Sequence, residues 1–213
     1  MFLLSRISRY LNWKSEIRLL DNRISTAWRP KQSQLMLAGN REPIWRINTP
    51  RRDVFMSLPI WARDDDLVVH VHSLPFHRAW LASGLTFPDS CPLQADLTKD
   101  RKYPLAEDGF AGGELLPVPI ADVSLWPDLN GGILRFSDGV TRTLWLIANE
   151  AETFPVLCSD RESADTLSKI AGIGSPISVG SLNLLFKALA NRPPDRQGLG
   201  NSDSGVGLET RAA

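Results

Sequence analysis

Cysteine is scarce in this chain: Cys91 and Cys158 are the only two in 213 residues. Two thiols supply neither a disulfide framework nor a zinc-ligand set, and such sparse use suits a reducing compartment. A surplus of charge of either sign is missing too, because 24 Lys and Arg face 24 Asp and Glu. No global field draws the chain onto nucleic acid, so any such binding has to come from a local patch. Long apolar runs are also lacking. None approaches the roughly 18 residues of a membrane span. Phe2-Leu3-Leu4 is too short for a signal peptide, and no small-residue cleavage site follows it. A cytoplasmic location is the expectation.

What is present is globular in composition, with 43% hydrophobic and 23% charged residues. That is enough to bury a core without staples. Residues 191–213 are rich in Gly, Pro, Ser, Asp and Asn and read as a disordered tail. Their Gly198-Leu199-Gly200 has neither a strand before it nor a helix after it, so it carries no phosphate-loop signal. The expected organisation is therefore one domain over 1–190. Within it, 1–95 is an N-terminal β-rich extension and 98–172 is the core motif region.

Residues 1–31 are locally basic, and Phe2, Leu3, Ile7, Tyr10 and Leu11 recur at helical spacing. This helix either packs its apolar face on the body of the protein or lies on an anionic membrane surface. From about residue 16 to 72 the period shortens. Ile44–Ile47, Val54–Met56 and Leu67–Val71 read as strands, with turns at Pro43, Asn48-Thr49-Pro50 and Arg63–Asp66. Phe76–Leu81 reads as a short helix or an irregular segment. Farther on come an extended run at Leu116–Ile120, a strand at Gly132–Phe136, a helix at Thr141–Asn149, a strand at Thr153–Cys158 and a helix at Ser163–Ile170.

The segment from Gly132 to Leu146 carries the most chemistry. A strand enters the tight turn Ser137-Asp138-Gly139, and the turn opens a helix. Glycine at 139 lets a ligand approach the backbone closely. The first helical turn offers free N–H groups and a partial positive charge, which together favour an anion. Arg142 adds a fork of donors suited to phosphate, and Thr141 and Thr143 add hydroxyls. Asp138 is placed either to cap the helix or to hold a metal ion beside phosphates. The plain alternative is a common Asp-Gly turn followed by a solvated arginine. His70 and His72 alternate on a strand and face one side, but no third metal ligand lies near, and His77 joins them only if the chain turns back. The seven tryptophans are read mostly as core. Trp28 or Trp45, beside Arg29 and Arg46, are candidates for stacking on single-stranded bases.

The order of these pieces resembles the ParB/sulfiredoxin fold. Leu105–Phe110 stands for its short helix, followed by Gly113, the Pro119-Ile120 strand and the second strand Ile133–Phe136. Gly139-Val140-Thr141-Arg142 matches the Gly-x-x-Arg turn, Leu144–Ala148 the helix after it, and Phe154-Pro155-Val156 the last strand. Val140 stands where sulfiredoxin has its catalytic cysteine, which removes sulfinic-acid repair. Thr143 stands where centromere-binding ParB proteins have a second arginine. The Glu-Asn-x-x-Arg box and the helix-turn-helix domain are missing too, which removes a partitioning clamp. Asp100–Phe110, Asp138–Leu146, Ser73-Leu74-Pro75-Phe76 and Tyr10–Lys14 are similar to the plasmid fertility-inhibition family. The resemblance implies an α+β fold, a mixed sheet with packed helices. It implies inhibition of conjugative and tumour-DNA transfer through a type IV secretion system. The implied partners are the transferred DNA with its relaxase and the inner-membrane coupling protein, from the bacterial cytoplasm or peripherally at the inner membrane.

The resemblance further implies nucleotide binding, with ATPase and DNase activity, ATP and Mg²⁺ as cofactors, and a non-catalytic block of the coupling protein as the alternative. For that chemistry the expected catalytic groups are Asp100, Glu107, Asp138 and Arg142. The expected phosphate-binding set is Arg101, Lys102, Gly139, Val140, Thr141, Arg142 and Thr143, with Asp138 and Glu107 as Mg²⁺ ligands. Asp100, Arg101, Lys102, Glu107, Asp138 and Arg142 are expected to converge on one cleft, since phosphoryl transfer needs charge and positioning more than a covalent nucleophile.

Overall fold

The computed structural model describes residues 2–26, 33–37, 42–86, 91–126 and 132–191, without the side chains of residues 2–7, 37, 85 and 86. Trp28, Arg29, Lys31, Gly198–Gly200 and the expected tail beyond Asn191 lie outside the described residues, as do the side chains of Phe2, Leu3 and Ile7.

Helix α1, Phe2–Thr26, runs unbroken because no Gly or Pro falls within it. Trp13 and Leu20 are buried and Ile17 half-buried, a helical stripe that packs on helix α2, Ser73–Thr86. The packing alternative thus describes this face of the helix. Two expectations are corrected. The strand-like period does not begin near residue 16, because Ile17 and Leu20 continue the helical stripe. Tyr10 and Leu11 are exposed, because Trp13 sets the buried face. The segment at Phe76–Leu81 likewise belongs to a full helix.

Strands β1 (Gln34–Leu37), β2 (Pro43–Asn48) and β3 (Asp53–Ser57) form an antiparallel meander. Between β2 and β3, the Thr49 N–H and hydroxyl both donate to the Arg52 carbonyl, at 3.2 and 2.6 Å. Strand β4 is Leu67–His72 and helix α3 is Tyr103–Ala111, preceded by a 3-10 turn at Gln94–Lys99. Strand β5, Val118–Pro119, pairs parallel with β3 and completes a four-stranded sheet in the order β1-β2-β3-β5.

Strands β6 (Ala121–Trp126) and β7 (Ile133–Asp138) form a hairpin, and helix α4 (Val140–Ala148) leads to strand β8 (Thr153–Cys158). Helix α5 (Arg161–Ala171), strand β9 (Ile177–Ser178) and helix α6 (Val179–Ala190) follow. The second sheet has the order β7-β6-β8-β4-β9, with β6 and β8 parallel and the other neighbours antiparallel. The expected α+β architecture with mixed strand directions stands, built as two sheets rather than one. Pro43 begins a strand instead of a turn.

The two central strands explain their own composition. Every residue of β8 is buried, and so is all of β4 but His72. Strands covered on both faces read as continuous apolar runs. Pro155 is tolerated inside β8 because the ladder to β6 starts only at Val156. Against this sheet, α2 lays Phe76 and Trp80. Phe76 meets Phe154 edge-on at 5.4 Å, and Trp80 meets Phe136 at 4.5 Å.

Removing the Phe76 ring leaves a cavity under α2. Phe76→Ala is expected to cost about 3–5 kcal/mol, read as a lower urea midpoint with the same slope. A pH effect follows from two histidines. Burial pushes His70 and His77 down to about 4, from an ordinary value of 6.5. Between those values the unfolded chain takes up protons that the native state refuses. Stability is therefore full above pH 6.5 and falls as pH drops toward 4, by up to roughly 3 kcal/mol per group. Urea midpoints of wild type and His77→Gln across that window are expected to converge at low pH.

Candidate functional site

Strand β7 ends at Asp138 and α4 begins at Val140, so a single residue makes the turn. Gly139 has a φ of +91°, and a Cβ there would lie 2.6 Å from Ala121 Cβ and 2.7 Å from Ala121 Cα. Glycine is needed twice over, for the left-handed backbone and for the close rest against the start of β6. The turn therefore fixes where α4 points.

No side chain caps α4. By contrast, the Asp160 carboxylate accepts the Ser163 N–H at α5 and the Ser178 hydroxyl accepts the Ser181 N–H at α6. The N–H groups that open α4 therefore meet no side-chain acceptor, the setting in which helix starts can receive an anion. Asp138 is not the cap; its Oδ2 instead accepts from Arg142 Nη2 at 2.5 Å. This pair sets the mostly buried guanidinium, whose side chain is 16% exposed, against a carboxylate that is 60% exposed.

The turn floors an open cleft of about 440 Å³. Lys102, Leu105, Ala106 and Gly109 wall one side and Val118 another, with Ser137 to Arg142 at the base. Of the predicted residues, Lys102, Asp138, Gly139, Val140, Thr141 and Arg142 line this cleft. Thr143 does not. It is 1% exposed, and its hydroxyl donates back to the Gly139 carbonyl at 3.0 Å.

The expected six-residue convergence is not what the structure shows. Asp100 lines a neighbouring cavity of about 310 Å³ that shares Val140 as a wall, and it accepts the Lys102 N–H at 2.7 Å. Arg101 and Glu107 line neither cavity. Glu107 turns toward the fold instead. Its Oε1 accepts from Arg52 Nη2 at 2.8 Å, and its Oε2 from the Trp145 indole at 2.6 Å. The Arg52 guanidinium also sits 5.6 Å from the Trp145 ring centre.

One carboxyl group escaped the sequence reasoning. Asp122 stands opposite Asp138 in the β6–β7 ladder and is 8% exposed. Burial above all, then Asp66 and Asp138, pushes its carboxyl above the usual range, opposed by a hydrogen bond from Ser137. An isolated Asp in a short strand gives no signal of this. Among the described residues, no three His, Cys, Asp or Glu side chains gather as a metal centre requires. His70 shares a hydrogen bond with Ser33, His72 Nδ1 accepts the Leu74 N–H at 3.2 Å, and His77 Nε2 lies 4.0 Å from Glu16 Oε1. Trp45 is buried and cannot stack on bases; among the described residues the exposed indoles are Trp61 and Trp126. No described helix is long and apolar enough to cross a membrane.

The sequence profile of plasmid fertility inhibition factors matches residues 68–172, which spans every residue of the cleft. The chain is 41% identical over 170 residues to the protein osa of Shigella flexneri, covering 78% of this chain and 89% of that one. It is also similar to the crystal structure of an oncogenic suppression activity protein, described as a plasmid fertility inhibition factor and solved as a gold(I) cyanide derivative. That likeness has a TM-score of 0.80 at 38% identity and covers 86% of this chain and 98% of the other.

Two substitutions separate fold from chemistry at this site. Gly139→Ala strains the backbone and collides with Ala121, so a loss of at least about 2 kcal/mol is expected in thermal or urea unfolding. Glu107→Ala leaves the Trp145 indole N–H without its acceptor, so a loss of about 1–2 kcal/mol is expected by the same measurement. An unchanged Glu107→Ala midpoint would mean that this hydrogen bond contributes nothing to the fold.

Proposed function

The chain belongs to the plasmid fertility inhibition factor family, and from that premise we propose that it suppresses conjugative and tumour-DNA transfer by engaging phosphates in the Gly139–Arg142 cleft. The observation that carries this reading is the uncapped start of α4, opening beside Arg142 and Lys102 in one cleft. Backbone N–H groups, a guanidinium and an ammonium together suit the phosphates of ATP or of the transferred strand. The action takes place in the donor cytoplasm, where a type IV secretion system meets its substrate at the inner membrane.

Under this reading the protein is an ATPase and DNase. Mg²⁺ typically binds through one or two carboxylates plus substrate phosphates, and Asp138 is the carboxylate that lines the cleft. It would hold the ion, and the ion would neutralise charge on the transferring phosphoryl group. Arg142, released from Asp138 by the incoming phosphate, would then meet that group directly. Lys102 would supply the second positive charge from the opposite wall.

A second reading is favoured by one observation. Both oxygens of Glu107 are occupied by Arg52 and Trp145, so the acid in the best-matching motif supports the fold. A cleft with so few carboxylates suits a ligand-controlled blocker of the coupling protein that performs no hydrolysis.

Purified protein with labelled single- and double-stranded DNA, Mg²⁺ and ATP decides between the two. The enzyme reading expects cleavage and phosphate release that fall at least about 100-fold in Arg142→Ala, together with weaker binding of a fluorescent nucleotide. Cleavage equal in wild type and Arg142→Ala would remove the cleft from the chemistry. Transfer inhibition that survives Arg142→Ala would select the blocker.

A further inference from the structure

Turn tips usually carry Gly, Asn, Asp or Ser, which accept tight backbone geometry and remain solvated. The first turn after β3 departs from this. Pro59-Ile60-Trp61-Ala62 closes with the Ala62 N–H donating to the Pro59 carbonyl at 3.0 Å. Ile60 is 105% exposed relative to a free residue and Trp61 48%. Pro59 is buried, and Leu58 and Ala62 pack on the core. Both feet of the turn are thus anchored inward, and the apolar pair is held out in water. A polar pair would close the same turn, so folding does not explain the choice.

The residues that follow hold the tip still. The Arg63 N–H donates to Asp66 Oδ2 at 2.8 Å, and Asp66 is 1% exposed. Helix α6 then clamps the loop: the Val179 N–H donates to the Asp66 carbonyl at 2.9 Å, and the Gly180 N–H to the Asp64 carbonyl at 3.0 Å. Asn183 Nδ2 donates to Asp64 Oδ1, also at 3.0 Å. A tip ordered in advance loses little entropy on docking.

The charge beside the tip selects the kind of partner. Asp64 and Asp65 are exposed, while Arg63 is spent on Asp66 at 3.1 Å and Asp65 at 3.8 Å. This acidic rim repels an anionic bilayer and favours a cationic surface. A rigid Trp beside an aliphatic residue is the kind of anchor that dominates protein interfaces. We propose that the Ile60–Trp61 turn is a docking anchor for a protein of the donor's transfer apparatus, one presenting an apolar pocket rimmed by Lys and Arg. The turn leaves β3 where the Ile120 N–H donates to the Ser57 carbonyl at 2.9 Å. Ser57 pairs with Pro119 of β5, whose other residue, Val118, walls the cleft. The inference rests on membership of the family and not on phosphate binding, so it holds whichever chemistry the cleft performs.

The test is transfer inhibition in donor cells by full-length protein carrying Ile60→Ser and Trp61→Ala together. Inhibition is expected to fall at least tenfold. The melting temperature and fluorescent-nucleotide affinity should stay unchanged, which separates this failure from failure of the cleft. A photocrosslinking side chain at position 60 is expected to trap a protein of the transfer apparatus, and Asp65→Lys should abolish the adduct. Full inhibition by the double variant overturns the proposal. So does binding of wild type, but not the variant, to phosphatidylglycerol vesicles, which assigns the tip to membrane. A wild-type dimer that the variant dissolves, seen by light scattering, overturns it in favour of a second copy.

Discussion

The close rest of Gly139 on Ala121 is the constraint from which the rest of the site follows. Strand β7 can pass the chain to α4 without a longer loop only because position 139 has no side chain. That short passage brings the uncapped start of α4 to the end of the β6–β7 hairpin. It also decides the course of Arg142. A Cβ at 139 would stand 3.0 Å from Arg142 Nη2, so the guanidinium folds back over the glycine to reach Asp138. One missing side chain thereby allows the turn, the contact with β6 and the ion pair.

A second set of contacts supports this constraint from behind. Glu107 joins α3 to α4 through the Trp145 indole and reaches Arg52 in the turn between β2 and β3. Phe110 lies 4.4 Å from Trp145, centre to centre, and closes the apolar side of the same junction. Both walls of the cleft are therefore tied to the four-stranded sheet. The acid singled out by its position in a motif holds two helices and a turn together. Its partners explain why: an indole N–H and a guanidinium in a partly buried setting require an acceptor.

Much of the fold was legible because local pattern and tertiary burial agree. Thr153–Cys158 is a strand over the predicted span, and β2, β3 and β4 differ from expectation only at their ends. The elements not foreseen have separate causes. Strand β6 alternates apolar and polar residues from Ala121 to Leu125, over only five positions, and buries the polar Asp122 all the same. Helix α6 buries Leu182 and Phe186 but leaves Leu184, Leu185 and Leu189 exposed, so it shows little contrast between its faces. Strand β1 is only four residues long, too short for a period to register.

The sequence by itself determined the strand, the glycine turn and the helix that carries Arg142, because all three depend on residues within one short segment. It also determined the two-sided burial of β4 and β8, which continuous apolar runs impose. Only the tertiary structure decided which acids face the cleft. Asp138 faces it and Glu107 does not, because a side chain's direction depends on which face of its element is packed. Asp122 came beside Asp138 only through the register of the β6–β7 hairpin. The regular register from Val123 to Trp126 would oppose Asp122 to Ser137; a one-residue shift between Asp122 and Val123 opposes it to Asp138 instead, and neither aspartate encodes that shift alone.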